Sequence, residues 1–324
     1  MSESKPSVGQ YAFYDHKPGQ SDMEMEVLAG LRSDPKYVSP KYFYDERGSK
    51  LFEQITVLDE YYLTRTEMAL FDTYLPEVAK ELGDNLCLIE YGSGSSVKIR
   101  KLLEAISPRA YVPVDISHAH LQENARALHA DFPSLDVYPV CADFTTLIEL
   151  PPDVDHLTPV GFFPGSSIGN FSPQDAAGFL RNVRATVGKD GALVIGVDRK
   201  KSKDVLESAY NDASGVTAAF NLNVLSHINS ELAADFETTE FEHRATYNEE
   251  EGCIQMFLES KQDQAVTVAG VTVDFAASEV LHTENSYKYH PEEFLRLCEG
   301  AGFVAQACYS DDREWFSLYL LRGV

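Results

Sequence analysis

Between Asn85 and Asp198 short apolar runs alternate with helical stretches, and this alternation constrains the fold more than any other feature of the chain. Leu86–Tyr91, Tyr111–Val114, Val137–Cys141, Val160–Pro164 and Gly191–Val197 each have the length of a buried strand. Helices are expected over about Val97–Ile106, His118–Phe132 and Pro173–Val187, the last with proline in its first turn, where the missing N–H is not needed. Regular alternation of this kind predicts an α/β fold: a doubly wound parallel sheet covered by helices on both faces.

The flanks follow a different rhythm. Residues 1–20 are polar, Met23–Leu31 reads as helix, and a turn is expected around Pro35 to Pro40. Gly48–Ile55 and Thr64–Leu82 carry apolar residues at helical spacing, and Met68, Leu70, Phe71, Leu75, Val78, Ala79 and Leu82 form one broad face. After Asp198, Lys203–Leu232 looks largely helical, while Phe241–Asn248, Ile254–Lys261 and Val266–Phe275 look like antiparallel strands. Pro291–Glu299 is again helical, and Phe303–Ser310 with Phe316–Arg322 look like a closing strand pair. The economical reading is one doubly wound domain, residues 66–197 with 287–324, interrupted by an α+β insertion. Residues 10–65 with 198–286 then form a second, substrate-binding layer over the ligand crevice. A continuous first domain followed by a separate second one is the alternative.

Composition removes several classes of function. The 324 residues carry a formal net charge of −24, and no basic patch is visible, which argues against nucleic acid. No apolar run approaches the roughly 18–20 residues that span a bilayer, and the N-terminus lacks the apolar core of a secretion signal. Five scattered cysteines without a C-x-x-C pair speak against a disulfide framework or structural zinc. The chain reads as a cytoplasmic protein, a monomer with no membrane partner. His118, His120, His227, His243, His282 and His290 lack metal-ligand spacing, so no metal is expected, and neither G-x-S-x-G nor a P-loop occurs.

The richest stretch is the strand Leu86–Tyr91 and the turn after it, where Gly92 and Gly94 allow close backbone approach to a ligand. A dinucleotide fingerprint would carry a third glycine where Val97 stands, so a nicotinamide oxidoreductase is the weaker reading. An acid just ahead of the turn, Glu90, is instead typical of enzymes that use S-adenosylmethionine. That molecule has an ammonium needing an acceptor, for which Glu90 and the turn carbonyls serve, and a carboxylate needing a donor, for which Lys98 serves. Asp115 ends the second strand, where a carboxylate takes ribose hydroxyls, and Asp143 ends the third, able to accept from an adenine amine while Phe144 packs on the ring. Three acids at successive strand ends beside a glycine turn are hard to explain as helix caps alone.

Several segments together resemble one family. KYFYDERGSKLFEQIT, DEYYLTRTE, IEYGSGSSVK, FFPGSSIGNFSP, AYNDASGVTAAFNLNVL and LHTENSYKYHPEEF are similar to the histidine-specific methyltransferases, most of all to those of ergothioneine biosynthesis. The likeness runs from about Gly30 to the C-terminus and implies a Rossmann-like methyltransferase sheet with an inserted α+β substrate-binding domain. It implies three methyl transfers from S-adenosylmethionine to the α-amino group of L-histidine, giving hercynine, without a metal. It places Gly92, Lys98, Asp115, Asp143 and Phe144 at the methyl donor. Around L-histidine and its methylated forms it places Tyr44, Phe52, Tyr62, Gly165, Ser167, Asn170, Tyr210, Met256, Glu284 and Ser286. Ser167 stands where the family often has threonine, and the hydroxyl is kept.

The chemistry agrees with that placement. Methyl transfer from a sulfonium to an amine needs alignment and desolvation, not a protein nucleophile. Asn170 can accept from the amine and donate to the carboxylate, Tyr210 can add a second donor, and Tyr44 can reach the amine directly or through water. Glu284 can accept from a ring N–H and Ser286 can pair with the other nitrogen. Tyr44, Phe52 and Tyr62 can face the amine as it becomes a quaternary ammonium, while Met256 lines the ring pocket. Tyr44 or a water is the candidate proton acceptor. Another amino acid such as tryptophan or tyrosine is the alternative substrate, and a non-catalytic histidine-binding protein the alternative class.

Overall fold

In the computed structural model, which describes residues 9–16, 23–93 and 96–324, the central strands of the large sheet are buried on both faces. The chain runs through β1 (Tyr14–Asp15), α1 (Met23–Leu31), β2 (Lys36–Tyr37), α2 (Glu46–Ile55) and α3 (Tyr62–Leu82). The alternating part follows as β3 (Leu86–Tyr91), α4 (Ser96–Ile106), β4 (Ala110–Asp115), α5 (His118–Asp131), β5 (Asp136–Val137), β6 (Val140–Cys141), β7 (Thr158–Phe163), α6 (Pro173–Val187) and β8 (Ala192–Asp198). Then come α7 (Lys203–Tyr210), α8 (Val216–Leu232), β9 (Phe241–Asn248), β10 (Cys253–Ser260), β11 (Gln264–Val268), β12 (Val271–Phe275), β13 (Val280–Tyr287), α9 (Pro291–Gly300), β14 (Phe303–Ser310) and β15 (Phe316–Gly323).

The large sheet has the order β1-β6-β4-β3-β7-β8-β15-β14, with β5 also on β4. Its pairs are parallel from β1 to β8 and antiparallel where β15 joins β8 and β14. The strand period of two explains why the runs are apolar throughout. On β3, Cys87, Ile89 and Tyr91 pack with α6 and α9, while Leu86 and Leu88 pack with α3, α4 and α5. This is the expected α/β sheet, closed by the expected strand pair.

The second layer has its own core. Val27, Leu31, Ile55, Phe220, Val224 and Ile228 of α1, α2 and α8 close over Ile254, Met256, Leu258 and Leu281 of a sheet ordered β2-β13-β10-β9. Four details differ from the sequence reading. Tyr14–Asp15 pair with Val140–Cys141 at the edge of the large sheet, away from the layer to which residues 10–65 are assigned. The third strand is broken at Tyr138–Pro139, where proline supplies no N–H. Val266–Phe275 is a hairpin and not one strand: Ala269 and Gly270 both take positive φ, 48° and 76°, the two-residue turn that matches strand twist. Val280–Tyr287, left unassigned by the periodicity, is a full strand.

Candidate active site

A cavity lies at the carboxyl end of β7, between the large sheet and the second layer. Nine of the ten residues expected on the substrate side line it: Tyr44, Phe52, Gly165, Ser167, Asn170, Tyr210, Met256, Glu284 and Ser286. The tenth, Tyr62, does not. Its phenol donates to Asp198 at 2.8 and 2.9 Å and its ring packs edge-on against Trp315, while the neighbouring Tyr61 lines the cavity. Phe220 and Ile55 also line it, neither of them singled out by the sequence.

The floor is the turn after β7. Gly165 and Ser166 take positive φ, 77° and 58°, and lead into a single 3-10 turn, Ser167–Asn170. Ser172 caps α6 by accepting from the Asp175 N–H, so Asn170 is not the helix cap and is left to face the cavity. The backbone N–H of Gly165 donates to both oxygens of the buried Glu67, at 2.8 and 3.0 Å, and Glu67 pairs with Lys98 at 2.6 Å. A Cβ at Gly196 would collide with that carboxylate. Glu67 therefore ties α3, the β7 turn and α4 together. It sits in the YYLTRTE segment, but its helical position gives no sign of this.

One wall is aromatic. Tyr44, Phe52, Tyr61, Phe220 and Tyr210 form a chain of edge-on and tilted contacts with ring centroids 5.7–6.4 Å apart. Tyr44 is half exposed, yet its hydroxyl end lies beside Glu284 and Tyr210, where burial above all raises the phenol pKa. Burial raises Tyr61 and Tyr210 as well. These phenols keep their protons at neutral pH and are poor candidates for a base.

The opposite wall is β13. A bulge between Met256 and Phe257 leaves Thr283 as an extra residue, so Thr283 and Glu284 are both buried and the inward set becomes Glu284 and Ser286, with buried Lys288 next in phase. Glu284 is 8% exposed; burial pushes its carboxyl up to about 7 and the Lys288 charge opposes the shift. Behind Ser286 lies a buried network. The Lys288 ammonium meets Asp198 at 2.9 Å, Tyr210 at 2.9 Å and Ser286 at 2.8 Å, and Lys201 meets Asp198 at 2.6 Å. Burial raises the Asp198 pKa, but the two lysines outweigh it and hold the carboxyl below its ordinary value.

Of the second group of expected residues, Glu90, Gly92, Asp115, Asp143 and Phe144 lie at the carboxyl ends of β3, β4 and β6, the usual ligand end of such a sheet, while Lys98 is paired with Glu67 beside the β7 turn. Gly92 has φ 77°, its N–H donates to Val114 O at 2.9 Å, and a Cβ there would meet the Phe144 ring at 3.4 Å. Gly94 lies outside the described residues. Glu90 is buried and accepts from the Tyr111 hydroxyl; burial pushes it up to about 7, with the Tyr111 and Ser93 hydrogen bonds opposing. Asp115 accepts from the Ser117 N–H at 2.8 Å, and burial raises its pKa. Asp143 takes the Thr145 N–H and hydroxyl at 2.9 and 2.7 Å. An anionic set around a positive-φ glycine and an aromatic ring suits a ligand with an ammonium, sugar hydroxyls and a flat amine-bearing base. Among the described residues no group of three or more His, Cys, Asp or Glu could hold a metal ion.

The model of the S-adenosylmethionine-dependent, histidine-specific methyltransferase family matches residues 23–323. The chain belongs to this family. As a histidine-specific methyltransferase family member it is similar to the histidine N-alpha-methyltransferase of Mycolicibacterium smegmatis, 40% identical over 304 residues that cover 92% of this chain and 94% of that protein. The enzyme of the same description from Mycobacterium tuberculosis is 38% identical over 309 residues, 93% of this chain and 95% of that one. An L-tryptophan methyltransferase of Psilocybe serbica is 26% identical over 332 residues, 92% of each. The α/β sheet therefore belongs to an S-adenosylmethionine-dependent methyltransferase, the enzyme class that the glycine turn and the three acids predict.

Proposed function

We propose that this methyltransferase carries three methyl groups in succession from S-adenosylmethionine to the α-amino group of L-histidine, giving hercynine for ergothioneine biosynthesis. The observation that carries the reading is Glu284, a buried acid in the cavity wall with Ser286 two residues further along the same strand. A buried carboxylate is costly unless it is hydrogen-bonded, and an imidazole N–H is the partner that histidine brings and an apolar side chain does not.

S-adenosylmethionine supplies an already activated methyl group. Glu90, Gly92, Lys98, Asp115, Asp143 and Phe144 hold it, with Gly94 joining them on the sequence pattern. Asn170 accepts from the amine and donates to the carboxylate of the amino acid. Tyr44 holds the amine through its hydroxyl, and because its phenol stays protonated the amine proton leaves to water. Tyr44, Phe52 and Tyr61 offer faces that tolerate a growing quaternary ammonium; Tyr62 acts from behind, through Asp198. The aromatic wall also suits an indole or a phenol, which favours tryptophan or tyrosine as the second reading. Glu284 weighs against it, because an apolar floor would serve those rings better.

The test is a mass-resolved assay with histidine and S-adenosylmethionine. Products heavier by one, two and three methyl groups are expected in sequence. Binding of both compounds with no gain in mass would mean a sequestering protein, and turnover of tryptophan in preference to histidine would establish the second reading.

A further inference from the structure

Lys288 is not itself a lining residue of the cavity, is fully buried behind Tyr210 and Ser286, and has no role in the proposed transfer. Its three N–H bonds meet three acceptors: Asp198 at 2.9 Å, the Tyr210 hydroxyl at 2.9 Å and the Ser286 hydroxyl at 2.8 Å. The two hydroxyls also meet each other at 2.8 Å. Counting protons gives the consequence. Tyr210 and Ser286 own one O–H each, and one of these lies in the bond between them. Both oxygens already accept from Lys288. The second O–H is left for the cavity, and the oxygen that carries it already accepts from Lys288 and from its neighbour. The pair therefore offers a ligand one donated hydrogen bond, from an oxygen whose two lone pairs are both taken.

Resting on the histidine reading above, we propose that Lys288 is a specificity-setting positioning residue: it turns the Tyr210–Ser286 pair into a hydrogen-bond donor toward the unprotonated ring nitrogen, opposite the acceptor Glu284. The site then asks for a ring with one N–H and one bare nitrogen, which is neutral imidazole. It works against a ring that carries C–H at the second place, because the offered proton is stranded. The Lys288 ammonium is held by Asp198, and Asp198 is held in turn by Lys201 at 2.6 Å and by the Tyr62 phenol. Removing Lys288 leaves Asp198 still paired with Lys201 and Tyr62 and frees an acceptor lone pair on each of the two hydroxyls, so the constraint on their direction goes.

The experiment compares histidine with its pyrrole analogue, an amino acid that keeps one ring N–H and has C–H in place of the bare nitrogen. The wild type is expected to favour histidine in kcat/KM by about 10- to 100-fold, the range that a stranded buried hydrogen-bonding group supports. In Lys288→Met that preference shrinks several-fold, mainly through a higher KM for histidine. Lys288→Gln, which keeps a donor, retains more of it. The ratio of two substrates is independent of how much of a variant is folded, and Lys288→Gln still reports if Lys288→Met yields no protein. If both substrates fall by the same factor, or the ratio does not move, Lys288 only supports the packing and the proposal is wrong. If the wild type methylates neither substrate, or prefers the pyrrole analogue, it is the histidine reading that fails.

Discussion

At the scale of single residues, Glu284 carries a stability cost that its proposed task explains. Burial raises its folded-state pKa from 4.5 to about 7, so between those values the folded protein holds a proton that the unfolded chain releases. For an acid raised in this way, stability is fully present below about 4.5 and is lost as pH rises through 7. Glu284→Gln removes the loss. Thermal melts are expected to show the variant more stable than wild type at pH 8, by up to about 3 kcal/mol, with the gap closing toward pH 4.5; a gap independent of pH would contradict this. The neighbours Tyr61 and Tyr62 divide in the same physical terms. Tyr62→Phe loses a buried hydrogen bond to Asp198 and should cost about 1–3 kcal/mol in a denaturant titration while leaving KM little changed. Tyr61→Ala, which opens the cavity wall, should raise KM. The aromatic pattern in the sequence could not choose between them, because Tyr61 precedes α3 and Tyr62 begins it, and only packing decides which one turns inward.

At the scale of elements, the site depends on two local devices. The bulge at Thr283 shifts the phase of β13 so that Glu284 and Ser286 face one cavity. Simple alternation read from Leu281 would have turned them outward, which is why this strand was hidden from periodicity although its motif was visible. The second device is Glu67, clamped between the Gly165 N–H and Lys98, with Gly196 making room. Gly196→Ala pushes on that carboxylate, and overpacking of this kind costs about 1–3 kcal/mol; the variant should melt lower and lose activity through a displaced β7 turn. Unchanged melting would show that the clamp has slack. Strands β3, β4, β7 and β8 were legible because they are buried on both faces and read as unbroken apolar runs. The β11–β12 hairpin was not, since Ala269-Gly270 is a weaker turn signal than Asn-Gly or Asp-Gly.

At the scale of the whole molecule, a formal charge of −24 means self-repulsion in the folded state. Melting temperature should rise between low salt and about 0.15 M salt, where the Debye length falls to about 8 Å; a fall would point to surface ion pairs outweighing the repulsion. The sheet's carboxyl end and the second layer meet at the β7 turn, and a Cβ at Gly169 would sit only 2.6 Å from Tyr287 O, so the two layers close against each other there. On the proposed reading, that meeting lets acids of the sheet and an acid of the second layer serve one reaction. The measurement that tests this most directly is paired turnover of histidine and tryptophan by the wild type and by Glu284→Ala. Histidine should be the better substrate of the wild type, and the variant should lose histidine turnover at least tenfold, the effect of a lost buried partner, while gaining relatively on tryptophan. An unchanged histidine rate in Glu284→Ala would contradict the account.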